Sequence, residues 1–496
     1  MCRMFRSTLR YVASVLPFFI QLILSSAAVP VVSRPGPARA VRREQAANSG
    51  FAEYFRCPDD FARLEADRAL APERGYFAFH GLTCWGQAAA PGVVRRREGS
   101  LVEVADRVRF EDGAVILPFE LDQIISNLRT EQYCQGAQGL FTTLGDRLAQ
   151  ALYYSVRPAL PVQVRKHLQR ARLSHWDRIP FPHWPVDSTV DDLLERTAAL
   201  ALHSRGADSM PFIWFWPDGA VAAAMMTHDV ETDDGVTRCA AVMDYDEAAN
   251  IRSAFQLIPK RYRRSLRDIA GEIRRRGFEV NVHDLTHDGR LYRDKAQFFD
   301  MATQINRYSR ELHCQGFRSG GMNRRQEWYD AFEFSYDMSV PSVAHLEPQR
   351  GGCCTVMPYF VGDVLELPLT TTQDYSLFHI LDSYSLELWR EQSERILAKH
   401  GLISFIVHPD YLDGSKAKAA YIELLSYLDA LRRERKVWIA PPEEINRWWR
   451  NRQQMALVRR GDSWHVEGPG SERARIGWAT VSADHRLTYR VDGQPA

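Results

Sequence analysis

From Pro211 to Ala440 the chain alternates short apolar runs with amphipathic stretches, and that alternation leaves few folds open. Ala222–Met226, Ser253–Ile258 and Phe278–Val282 read as strands, because each is a short apolar or period-two run bounded by polar residues. Between the second and third, Leu266, Ile269, Ala270 and Ile273 recur at helical spacing until Gly277 stops the helix. Phe298–Leu312, Leu386–Lys399 and Ala419–Arg433 read as further helices, Leu402–Val407 and Val437–Ala440 as further strands. Cys314–Phe317, Phe332–Tyr336 and Val364–Leu367 are shorter strand-like runs. Strand–helix units of this length pair in parallel, since each helix must cross back over the sheet it covers. The expected class is α/β, with a parallel sheet either open or closed into a barrel.

In such a sheet, function collects at the carboxyl ends of the strands. Those ends carry Thr227-His228-Asp229-Val230-Glu231, His283-Asp284-Leu285-Thr286-His287, Arg318 and His408. The spacing of His283 and His287 is weak evidence by itself, because 15 histidines in 496 residues produce about 0.5 such pairs by chance. Position adds more: residues four apart on one turn of helix or in a tight loop can present two imidazoles to one ion. Taken singly, Asp229 reads as a helix cap or surface carboxylate, and His408 as a satisfied core imidazole. Taken together, histidines and carboxylates at several strand ends are what a metal-assisted hydrolase needs.

Five motifs in this chain order resemble those of the polysaccharide deacetylases, the NodB-homology carbohydrate esterases. They are Thr227–Glu231, His283–His287, Gly316-Phe317-Arg318-Ser319-Gly320, Tyr336-Asp337-Met338-Ser339 and Ile403–Pro409. The resemblance spans roughly residues 211–445. It implies a distorted (β/α) barrel, a divalent metal that is usually zinc, and hydrolysis of an acetamido group on a polysaccharide or oligosaccharide. By the same resemblance His283 and His287 match the metal-binding histidines, Asp229 the catalytic base and Arg318 the arginine that orients it. His408 matches the general acid, and Asp337 is expected to orient that imidazole.

Two motifs depart from the family pattern. Val230 stands where a second aspartate usually ligates the metal, and Glu231, two residues after the base, is the expected carboxylate ligand. Gly320-Gly321 replaces the usual Pro-Tyr, leaving the Gly321 N–H as the expected oxyanion donor. His228 replaces an apolar residue and reads as a barrel-rim side chain. An O-acetyl esterase of the same fold, or a degenerate barrel that binds polysaccharide without cleaving it, are the alternatives.

The remainder of the chain is less informative. Residues 1–34 combine Arg3, Arg6 and Arg10 with the apolar run around Val15–Leu24 and small residues to Ala28, the pattern of an export signal, with an uncleaved membrane anchor as the alternative. That places the protein outside the cytoplasm, secreted or periplasmic, or anchored to a membrane. Residues 35–49 read as a linker, 50–204 as an N-terminal α+β domain with a helix around 120–149, 205–450 as the catalytic domain, and 451–496 as a small β appendage. The N-terminal domain shows no catalytic constellation and reads as structural or substrate-positioning. With 63 Lys+Arg against 62 Asp+Glu, the chain has no charge excess to drive nucleic-acid binding. Eight cysteines without a CxxC pair indicate neither a zinc module nor a redox motif.

Overall fold

A computed structural model describes residues 49–90, 92–94, 99–134, 173, 175–483 and 486–493. The expected export signal, nearly all of the linker, Cys2 and the 135–149 part of the expected helix lie outside the described residues. The central sheet has nine strands: β1 (Ala223–Val230), β2 (Ala254–Leu257), β3 (Glu279–His283), β4 (Gly316–Arg318), β5 (Tyr336–Asp337), β6 (Tyr359–Val361), β7 (Val364–Glu366), β8 (Leu402–Ile406) and β9 (Trp438–Ile439). Their spatial order is β6-β7-β5-β4-β3-β2-β1-β8, with β9 beside the first residues of β1. Every pairing is parallel except β6 with β7.

The apolar runs form the middle of this sheet because both faces are covered. All of β1 and all of β8 are buried, in register from Leu402 opposite Ala223 to Ile406 opposite Thr227. Helices α1 (Asp233–Ala248), α2 (Leu266–Arg275), α3 (Lys295–Leu312), α4 (Glu387–Leu397) and α5 (Ser415–Arg435) connect or follow these strands. Thr232 caps α1 by accepting the Gly235 N–H, and Asp294 caps α3 through Gln297. On α2 the buried residues are Ile269, Ala270 and Ile273, the face read from the spacing.

The parallel ladder stops at β7, but the chain continues from Leu367 to Thr371 alongside β8. Hydroxyl groups make that junction. Ser404 Oγ donates to Pro368 O (2.6 Å), Thr370 Oγ1 donates to Leu402 O (2.7 Å), and Thr371 Oγ1 donates to Ser404 O (2.7 Å). The sheet therefore curls until its two ends are joined by side chains, where a regular barrel would use a ladder.

Residues on either side of the sheet-bearing segment share its packing. Phe51, Phe77 and Leu193 lie in one buried cluster with Ala223, Met225, Leu365 and Leu402, and with Trp449, Ala479 and Val491. The C-terminal strand Ile476–Val481 pairs antiparallel with Ser209–Ile213, so the β structure expected of the tail closes onto the segment that leads into β1. Described residues of all three segments that the sequence separates at 204/205 and 450/451 thus pack in one cluster. No helix among the described residues is long and apolar enough to cross a membrane.

Candidate active site

Strand β1 sets the site through its pleat. Successive side chains of a strand alternate faces, so Thr227, Asp229 and Glu231 share one side while His228 and Val230 take the other. Val230 is fully buried in the core beneath the helices, which is why the residue directly after Asp229 cannot be a ligand. His228 faces that same layer. Its Nδ1 lies 2.9 Å from Val407 O and its Nε2 3.1 Å from Asp246 Oδ2, consistent with a structural residue.

On the opposite side, Glu231, His283 and His287 bring one ligand atom each within 4.8 Å of the others. His283 ends β3, and the loop after it turns tightly, with Asp284 and His287 both at φ 55°. The two imidazole centroids are 4.8 Å apart, and His287 Nε2 lies 3.1 Å from Glu231 Oε1. His283 Nδ1 lies 3.0 Å from the carbonyl oxygen of Arg318, so it carries the proton, and Nε2 keeps a lone pair. That Nε2 is buried without a hydrogen-bond partner, and Asp229 Oδ2 is 3.7 Å away. Two imidazoles and a carboxylate, with one ring nitrogen buried and unspent, fit a divalent metal of the zinc type.

Around this trio the charged groups are held in opposite protonation states. Arg318 Nη1 donates to Asp229 Oδ1 and to Thr227 Oγ1, each at 2.8 Å, while its Nε donates to Met338 O at 3.0 Å. Burial alone would raise the Asp229 pKa, but Arg318, His283 and His408 outweigh it and hold the carboxyl below its ordinary value. Glu231 is held well below the carboxylate range by His287 and His408, again against burial. Burial pushes His283 down despite Asp229, which favours the neutral imidazole a metal needs. His408 goes the other way. Burial would lower it, but Asp374 holds its pKa well above that of a free imidazole.

The assignment of Asp337 behind His408 is corrected by this geometry. Asp374 fills that place: its Oδ1 is 2.6 Å from His408 Nδ1, and its Oδ2 accepts the His408 backbone N–H at 2.7 Å. Asp337, at the end of β5, accepts instead from Tyr329 Oη (2.8 Å) and from the Ser339 backbone and hydroxyl. It lies beside Glu366, and burial pushes both carboxyls up, so the pair is a closed acidic contact between β5 and β7.

Sequence reasoning also missed the residues that fix the loops. Asp410, two residues after His408, accepts the Glu231 backbone N–H at 3.1 Å and bonds the Thr232 hydroxyl. Asp284 accepts the Gly320 N–H at 3.2 Å. A Cβ on Gly320 would stand 2.7 Å from His287 Cδ2, so glycine lets this turn lie against the loop that carries His287. Gly321 follows at φ 60° on the exposed side of the turn. Arg324, at the far end of the turn, is bound by Glu131 from the N-terminal segment: Arg324 Nε donates to Glu131 Oε2 at 2.7 Å, and Glu131 Oε1 takes the Gly352 N–H at 2.6 Å. The only sequence signal for Asp410 was its closeness to His408; none existed for Glu131, which is 193 residues from its partner.

No family model matches the chain, and no curated protein matches it. Among solved structures, a protein assigned as a polysaccharide deacetylase from Mycobacterium smegmatis aligns at 18% identity and a TM-score of 0.40, over 51% of this chain and 98% of that one. Puue allantoinase aligns at 15% identity and 0.39, over 47% and 92%. A Pseudomonas aeruginosa PAO1 protein assigned as a polysaccharide deacetylase aligns at 16% and 0.37, over 47% and 92%. Similarity at this level does not assign an activity.

Proposed function

We propose that the protein is a metal-dependent hydrolase that removes N-acetyl groups from a polysaccharide or oligosaccharide. One observation carries this reading. A carboxylate fixed by Arg318 and an imidazole fixed by Asp374 stand beside a Glu231–His283–His287 trio with an unspent ring nitrogen. A divalent ion, zinc by its donor set, would polarise the acyl oxygen and acidify the attacking water, worth several kcal/mol. Asp229 then takes the proton of that water, since it is ionised at neutral pH and oriented by a charge-assisted bond. His408, kept cationic by Asp374, gives its Nε2 proton to the leaving nitrogen. The Gly321 N–H is the proposed donor to the developing oxyanion.

A strongly protonated acid favours N-deacetylation, because an amine leaves poorly without a proton, whereas an ester oxygen needs one less. The basic start and apolar run within the first 34 residues fit export, which would bring the enzyme to an extracytoplasmic glycan. Purified protein is expected to hold one divalent ion per chain and to release acetate from an N-acetylglucosamine oligomer faster than from an O-acetylated polymer. Faster release from the O-acetylated polymer would instead make it an esterase, and neither metal nor release would leave a polysaccharide-binding protein.

A further inference from the structure

We propose that the substrate carries an anionic oxygen group, a carboxylate, phosphate or sulfate, on a sugar beside the acetylated one, and that Lys260 and Arg261 bind it. This inference rests on the reading of the Glu231–His283–His287 cluster as a hydrolytic centre.

The loop after β2 reads Pro259-Lys260-Arg261-Tyr262-Arg263-Arg264, a dense run of cations in a chain whose net charge is only +1. It lies at the carboxyl end of its strand, the end where every site residue sits. Three bonds tie it to the site. The Lys260 N–H donates to Leu285 O (3.1 Å), midway between His283 and His287. Arg261 Nε donates to the carbonyl oxygen of Glu231 itself (3.1 Å), and Tyr262 Oη donates to Val230 O (2.6 Å). The Lys260-Arg261 pair is therefore pinned between the two segments that supply the trio.

Charge compensation separates these two residues from their neighbours. Arg263 pairs with Asp233 at 3.4 Å and Arg264 with Glu272 at 3.0 Å. Lys260 Nζ is held by the amide oxygen of Gln304, and Arg261 by a backbone carbonyl, both neutral partners. No carboxylate among the described residues pairs with either, and both side chains are exposed. A loop that needed only anchoring has its anchor in Tyr262. Arg261 spends one of its five N–H donors on Glu231, and its terminal fork is of the shape that grips an oxyanion with two parallel bonds. Lys260 beside it adds a second point charge.

Three hexasaccharides test this: an N-acetylglucosamine homopolymer, an alternating N-acetylglucosamine–glucuronic acid chain, and the same homopolymer sulfated. Their Kd values are measured by calorimetry on the full-length Asp229→Asn protein, which binds but turns over slowly. The carboxylated or the sulfated chain is expected to bind about ten-fold more tightly than the neutral one at low ionic strength, and whichever does so identifies the oxyanion. The preference should shrink severalfold in 0.5 M NaCl, where exposed charges are screened, and fall to about two-fold or less in Lys260→Gln/Arg261→Gln protein. Equal affinity for all three, a preference that survives the double substitution, or no binding of any would overturn the proposal. If the double variant does not fold, the salt dependence of the unsubstituted loop decides. Acetate release by wild-type protein is scored separately. Release without charge preference removes this inference alone, and charge-selective binding without release removes the hydrolase reading alone.

Discussion

Two polar clusters meet at the end of β1, and they differ in one respect. Around His228, both ring nitrogens have oxygen partners, and Asp246 is bonded by His228, by Ser253 Oγ at 2.5 Å and by the Tyr421 hydroxyl, all at zero exposure. Around His283 the imidazole is equally buried, but its Nε2 has no hydrogen-bond partner. A buried histidine with a carboxylate beside it is common to both, so residue type does not identify the site. An unspent lone pair beside a second imidazole and a carboxylate does, because a buried nitrogen without a partner costs about 1–3 kcal/mol and this one is placed where an ion would use it. The pleat of one strand separates the two clusters: His228 faces the helices and Asp229 faces the Glu231–His283–His287 trio.

Substituting the neighbours 228 and 229 should break this comparison in opposite ways. Asp229→Asn is expected to lower kcat for acetate release about 10³-fold while bound metal stays near wild type, and to lower Tm because the buried Arg318 guanidinium loses its counter-charge, read by kinetics, elemental analysis and thermal unfolding. Next in size, Asp374→Asn should lower kcat about 10²-fold and move the alkaline limb of the pH–rate profile to lower pH. The sign follows from the imidazole. Asp374 holds the His408 pKa up, and without it burial pulls that pKa down, so the acid loses its proton earlier as pH rises. His228→Asn, in the closed cluster, should leave metal content intact but cost about 2 kcal/mol of stability, because it removes the buried ring's bonds to Asp246 and to Val407 O. Tyr421→Phe is the mildest, about 1 kcal/mol from the lost bond to Asp246 and the longer contact with His228 Nε2, with acetate release unchanged. A Tyr421→Phe protein that lost metal would merge the two clusters and refute the distinction.

The parts of the site legible in the sequence are those attached to regular strands. Buried runs such as β1 and β8 announce their own ends, and Asp229, His283, Arg318 and His408 all come together there. Glu231 was placed by its offset of two from Asp229, which the pleat explains. Asp374 was not legible, because it follows Leu367–Thr371, where hydroxyl bonds to β8 replace a ladder and no periodicity marks the strand. Asp337 was misread for the complementary reason: a two-residue strand end shows that a carboxylate is near the site edge but not which neighbour it serves. Glu131 illustrates the remaining limit. A buried ion pair that joins the N-terminal segment to Arg324 across 193 residues leaves no local pattern.

The most direct test of the account is the metal content of wild-type protein and of His283→Ala, measured by elemental analysis after dialysis at neutral pH, with acetate release on the same samples. One divalent ion per wild-type chain with release from an N-acetylglucosamine oligomer, both lost in His283→Ala, is the predicted result. Wild-type protein that deacetylates without bound metal, or a His283→Ala protein that keeps both the ion and the activity, would contradict it.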